Sequence, residues 1–210
     1  EQVHLLIGFE GFAYDDDDYY AAQVMSVLLG GGMSSRLFQE VREKRGLAYS
    51  IYSYLSSYTD GGLMGIYAGT GQGDVDTLVP LVLDEVEKLA QDVSRAEIAR
   101  AHAQIKAGIL MSLESTSSRC EQLARQMMVF KRPLSIEEVI AKIDTIGEDA
   151  LKRVAARFLA SPPTRTTLGC TTSATPASKT TISAPACLAS TLIAAPPAMK
   201  FITMAGVTPW

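Results

Sequence analysis

Apolar and polar positions change period several times along the 210 residues, and each change marks an element. From Gln2 to Tyr14 the chain is apolar and aromatic with partial alternation, the period of a strand with one face on a core. Asp15 to Asp18 interrupt it; four adjacent aspartates predict a solvated turn that caps a helix running from about Tyr19 to Leu29. Three glycines follow, Gly30, Gly31 and Gly32. Ser34 or Ser35 then serves as N-cap for a charged helix from about Arg36 to Lys44, with Gly46 as its C′ stop. Residues 47–58, "LAYSIYSYLSSY", and 62–69, "GLMGIYAG", are aromatic or β-branched runs joined through "TDG", which predicts a hairpin. Leu78, Val79, Leu81, Val82, Val86 and Leu89 recur at helical spacing between 75 and 90. Ser94 and Glu97 fit a capping box at the head of "SRAEIARAHAQIKAGILMSLES". Further helical stretches are expected at 117–130, 135–146 and 147–160. The order of strand, two helices, two strands and then helices predicts an α+β fold, a mixed or antiparallel sheet with helices packed on one face.

Composition divides the chain into a domain at 1–164 and a tail at 165–210. Residues 1–164 carry 16 basic and 23 acidic side chains, whereas no acidic residue follows Asp149. From Thr166 to Trp210 most positions are Ala, Thr, Ser or Pro, a composition that rarely packs. The tail reads as a low-complexity extension or a non-native reading frame, with an edge strand near "TRTTLGC" as the alternative; protease resistance of residues 170–210 would refute the first reading. A formal net charge of −4 argues against a nucleic-acid binder and favours neutral or basic partners. Cys120, Cys170 and Cys187 form neither a C-x-x-C pair nor an even framework, which favours a reducing setting, such as the cytoplasm, or simply unpaired thiols, and leaves the compartment open. No 18-residue apolar run is present, so a soluble protein without a membrane span is expected. With Glu1 rather than methionine at its head, the chain is expected to be a fragment.

Several chemistries fail their own tests. A glycine run entering a helix can cradle phosphate, but neither Gly30–Gly32 nor "GTGQGD" carries the lysine of G-x-x-x-x-G-K-[ST], and neither matches G-x-G-x-x-G after a strand. His4 and His102 lie far apart, and neither has a partner at metal-ligand spacing. A G-x-S-x-G elbow is absent. Arg42 and Tyr49 remain, one late in the charged helix and one at the start of a strand. A tight turn at Arg45 and Gly46 would bring both to one end of the sheet, as donors to a peptide carbonyl or its oxyanion. The alternative reading makes Arg42 a solvated helix charge and Tyr49 a half-buried strand aromatic.

The run "LLGGGMSSRLFQEVREKRGLAYSIYS", with "DDYYAAQVMSVLLGGG" leading into it and "GLMGIYAGT" and "SLESTSSRCEQLARQ" after it, closely resembles the C-terminal half-domain of the pitrilysin and mitochondrial processing peptidase family of zinc metallopeptidases. The resemblance spans about residues 2–164. It implies a clam of homologous α+β halves closing on a peptide, with an H-x-x-E-H zinc site on one half and an arginine and a tyrosine on the other. Those two map onto Arg42 and Tyr49, at the family's separation. H-x-x-E-H is absent from this chain, so the resemblance implies no zinc bound here and no peptidase activity in isolation. Zinc is expected on a missing half, in the same gene or on a partner subunit, and the expected ligand is a peptide or protein substrate. The resemblance also admits a non-catalytic, peptide-binding or structural subunit. Gly30–Gly32 would then shape a bend between packed helices through positive φ, and the face awaiting the other half would favour self-association.

Overall fold

The computed structural model describes residues 2–169 and 178–181. Five strands, β1 (Gln2–Glu10), β2 (Ala48–Ser57), β3 (Gly62–Gly71), β4 (Thr164–Gly169) and β5 (Ser178–Thr181), form one sheet in the order β2-β3-β1-β4-β5. Every neighbouring pair is antiparallel. Six α-helices accompany it: α1 (Tyr19–Gly30), α2 (Val75–Gln91), α3 (Arg95–Ser112), α4 (Thr116–Phe130), α5 (Ile136–Asp144) and α6 (Glu148–Ala160). The α+β expectation is met, and the sheet is antiparallel rather than mixed.

Alternation in β1 decides which face is covered. Val3, Leu5, Ile7 and Phe9 are buried on one side, and the register sets Leu5 on Ala68, Ile7 on Ile66 and Phe9 on Met64. Each such side chain contributes about 1.5–3 kcal/mol when fully withdrawn from water. Leu29 of α1, Leu78 and Val82 of α2, and Val154 and Phe158 of α6 complete the same core. Phe158 meets Phe12 edge-on at 5.0 Å between ring centroids and Phe9 at 6.4 Å. The other sheet face holds His4, Tyr52, Tyr54, Leu63 and Tyr67, of which Tyr52 and Leu63 are exposed.

Three expectations need correction. The aspartate run is only partly solvated: Asp18 is buried, and Arg153 and Arg157 of α6 both donate to its carboxylate, while Arg157 also forks onto Asp16. Asp18 occupies the N-cap position of α1 without a side-chain capping hydrogen bond, because those arginines take its oxygens. The charged helix begins at Arg36 but opens into a π-helix over Phe38–Glu43. Ser35 does not cap it; its hydroxyl donates back to the Gly32 carbonyl. The capping box at Ser94 and Glu97 is formed as expected, with both reciprocal bonds present.

β4 begins at Thr164, on the boundary drawn between domain and tail, and continues across it beside β1. A strand is therefore present near "TRTTLGC", but it is not the edge strand expected as the alternative: it lies between β1 and β5, and β5 also falls in the segment read as a tail. The remainder of the tail at 170–177 and 182–210, with Cys170 and Cys187, lies outside the described residues.

Candidate functional site

The site is built from the segment that joins α1 to β2. Gly30 ends α1 against the sheet, and a Cβ there would meet the Ser53 backbone nitrogen at 2.4 Å. A Cβ on Gly31 would meet Val27 Cα at 2.6 Å and its carbonyl oxygen at 2.7 Å, and one on Gly32 would approach the Gln104 amide nitrogen at 3.2 Å. Positive φ was expected along this bend. Gly31 instead has φ −80°, and among the described glycines only Gly46 is left-handed, at φ +63°. Gly30 and Gly31 are demanded by close approach to backbone, Gly32 only crowds the Gln104 amide, and the backbone freedom is used four residues beyond Arg42.

Helix α3 holds the bend in place. Gln104 Nε2 donates to the Gly31 carbonyl at 2.6 Å. Arg36 forks onto the Glu97 carboxylate at 2.7 and 3.0 Å and also donates to the Asp92 carbonyl at 2.8 Å. That guanidinium, helped by the Ser94 hydroxyl and amide, draws the Glu97 carboxyl down to a pKa of about 2. Gln39 closes the loop from its other end by donating to the Met33 carbonyl at 2.7 Å.

Beyond this anchored loop the two sequence-predicted residues stand on either side of one turn. Arg42 lies in the π-helical segment, whose wide hydrogen bonding continues as Lys44 N–H to the Gln39 carbonyl and Leu47 N–H to the Val41 carbonyl, both at 3.0 Å. Gly46, left-handed, then admits the chain to β2. Arg42, Lys44 and Arg45 are all exposed but are not equivalent. Lys44 and Arg45 both donate to the Glu40 carboxylate, which they hold below the usual carboxylate range. Among the described residues no carboxylate pairs with Arg42; its guanidinium carbon lies 4.8 Å from the centroid of the Phe38 ring.

Tyr49 sits on a β-bulge. Ala48 pairs with Thr70 and Ser50 with Gly69, so Tyr49 is the extra residue on its strand. Ala48 and Ile51 are both buried, although residues three apart fall on opposite faces of a regular strand. The bulge reconciles them and turns Tyr49 outward, 69% exposed. Bulges and π-turns both occur often at functional sites because they re-aim side chains.

Two features were not anticipated as part of the surroundings. On the uncovered sheet face Tyr52 stacks on Tyr67 at 4.9 Å, and the Tyr67 hydroxyl lies 2.7 Å from His4 Nδ1. Tyr54 fills the space over Gly65, and burial together with Tyr52 and Tyr58 pushes its phenol pKa up. The alternation of Tyr52 with Tyr54 and of Gly65, Tyr67 and Gly69 carried the signal for this aromatic face. His102 on α3 lies apart from the site; burial pushes its pKa down, and its Nδ1 is 4.0 Å from Asp144.

The peptidase M16 inactive-domain family matches residues 1–105. This chain belongs to that family. Over 170 residues it is 37% identical to an uncharacterized zinc protease of Streptomyces coelicolor, covering 80% of this chain and 37% of that protein. A peptidase M16 inactive domain from Pseudomonas fluorescens superposes with a TM-score of 0.69 at 25% identity, covering 83% of this chain and 42% of that one. A chain of complex III2 from Candida albicans shares the fold alone, at TM-score 0.66 and 24% identity, over 74% of this chain and 39% of that one. The chain thus spans about two fifths of the length of the relatives it matches. Zinc belongs to the family, yet this chain's described residues offer no donor set for it: no three His, Cys, Asp or Glu side chains gather. The inner ring nitrogen of His4 is engaged by Tyr67, and His102 has one carboxylate beside it that Lys106 already contacts. No helix among the described residues is long and apolar enough to cross a membrane.

Proposed function

We propose that this chain is the substrate-contacting half of a zinc endopeptidase whose metal site lies on a separate half, and that it hydrolyses nothing by itself. Arg42 holds the carbonyl of an extended peptide, and Tyr49 donates its phenol to the oxyanion that forms when that carbonyl is attacked. A developing negative charge gains most from donors fixed before it appears. The observation that carries this reading is the unequal treatment of the three cations at 42–45. Glu40 occupies Lys44 and Arg45, and Arg42 is left for an external acceptor across the turn from Tyr49.

The sheet face not covered by this chain's own helices is the proposed contact for the zinc-binding half, and it would favour self-association when that half is absent. The net charge of −4 suits basic peptides. Arg42→Ala and Tyr49→Phe, measured in the protein assembled with its zinc-binding half, should each lower turnover by roughly 10², the usual effect of losing an oxyanion donor. Unchanged turnover in both variants would remove the assignment. A second reading is a non-catalytic subunit that binds peptides or serves a structural role, in keeping with the fold shared with the complex III chain. Peptide binding without cleavage in the assembled protein would favour it.

A further inference from the structure

The Arg42 side chain is one that should be hard to hold still: exposed, long, and without an ion-pair partner among the described residues. An unrestrained arginine of this kind loses rotamer entropy whenever it engages a ligand. Its surroundings counter that loss in two ways. Phe38, one turn earlier and half-buried, presents its ring face 4.8 Å beneath the guanidinium carbon. That distance lies within the reach of a cation–π contact, which leaves the guanidinium N–H edge free to donate. Of the two acids in the π-helical segment, Glu40 is taken by Lys44 and Arg45, and Glu43, next to Arg42 in the chain, forms no ion pair with it among the described residues. Phe38 and Gln39 lie one turn before Arg42 in the segment, and neither is a carboxylate.

From this arrangement we infer that Phe38 is a positioning residue for Arg42, an aromatic shelf that fixes the guanidinium in a carbonyl-binding pose before substrate arrives. The inference rests on the proposed role of Arg42 and adds to it a residue that never touches the peptide. Glu40 assists by keeping Lys44 and Arg45 from offering competing charges to the same carbonyl. Phe38→Leu keeps an apolar side chain of similar reach but removes the ring quadrupole. Phe38→Tyr keeps the ring.

The decisive experiment has two readouts. In the protein assembled with its zinc-binding half, Phe38→Leu should lower kcat/KM about three- to five-fold, the size of a cation–π contact at an exposed site. Part of the loss should appear as a raised KM, because the shelf serves a contact already made to the carbonyl of the bound peptide. Phe38→Tyr should restore the rate, and Phe38→Leu should cost nothing further when Arg42 is already alanine. In the isolated 210-residue chain, the ring should shift the Arg42 side-chain Nε–H resonance, and Phe38→Leu should return it towards the position of a solvated arginine. A resonance indifferent to Phe38→Leu, or a kinetic loss equally large in the Arg42→Ala background, overturns the inference. A resonance that responds while Arg42→Ala leaves turnover intact upholds the shelf and overturns the catalytic role of Arg42 instead.

Discussion

Replacing Glu97 with glutamine tests whether α3 holds the glycine bend by charge. Glu97 accepts both prongs of the Arg36 guanidinium at 2.7 and 3.0 Å, and their side chains are only 19% and 16% exposed. Its carboxyl titrates at about 2 in the fold against an ordinary 4.5. A separation of that size corresponds to at most about 3.4 kcal/mol of stability, and solvent screening of a partly hydrated pair reduces it to about 1–2 kcal/mol. Glutamine is itself a capping-box residue, so the cap with Ser94 is largely retained and the substitution isolates the charge. The sign follows from a depressed pKa: the stabilisation is fully present above pH 4.5 and is lost as pH falls through about 2. Urea unfolding of wild type and Glu97→Gln should therefore differ by about 1–2 kcal/mol at pH 7 and converge as pH approaches 2. A deficit of the same size at pH 7 and pH 2.5, or none at pH 7, would refute a charge-based anchor.

The two kinds of glycine should answer differently to alanine. Gly30→Ala forces a methyl to within 2.4 Å of the Ser53 nitrogen and should cost about 1–3 kcal/mol in urea unfolding, with α1 pushed off β2. Gly46→Ala meets nothing within 4 Å but must hold φ +63°, which costs about 1–2 kcal/mol. A neutral Gly30→Ala would mean that the helix–sheet approach relaxes freely. Asp18→Asn removes the charge shared by Arg153 and Arg157 and should lower stability by about 1.5–3 kcal/mol at neutral pH. Arg153, and after it Arg157, holds the Asp18 carboxyl below its usual range, so this deficit should persist above pH 3.8 and shrink as more acidic conditions protonate the wild-type aspartate. Equal midpoints for Asp18→Asn and wild type at pH 7 would show the cluster to be ornamental to folding.

Local pattern made most elements readable. The hairpin at 48–71, the helices α2 to α6 and the Ser94 cap follow from period and capping chemistry that act within a few residues. The fate of Asp16 and Asp18 does not, because their arginines stand about 140 positions later and reach them only once α6 packs beside α1. Gly30 to Gly32 show a different gap. Sequence can register that three glycines occur together, but only packing tells that Ser53, Val27 and Gln104 crowd them, and that φ was never the reason.

The bulge at Tyr49 was written in the chain all the same. Ala48, Ile51 and Leu55 cannot share one face of a regular strand, since the first step is three residues and the second four. A core that claims all three requires one inserted residue between Ala48 and Ile51, and the residue set outward is Tyr49. The π-helical turn at Phe38–Glu43 does for Arg42 what the bulge does for Tyr49. In each case a single residue departs from the regular hydrogen-bond count, and its side chain is re-aimed while the buried neighbours Val41, Ala48 and Ile51 stay in the core. Regular secondary structure would have kept those apolar contacts only by giving up the exposed donors. That both irregularities fall within twelve residues, around a turn whose glycine alone among the described glycines is left-handed, is the strongest physical reason to look for this chain's function there.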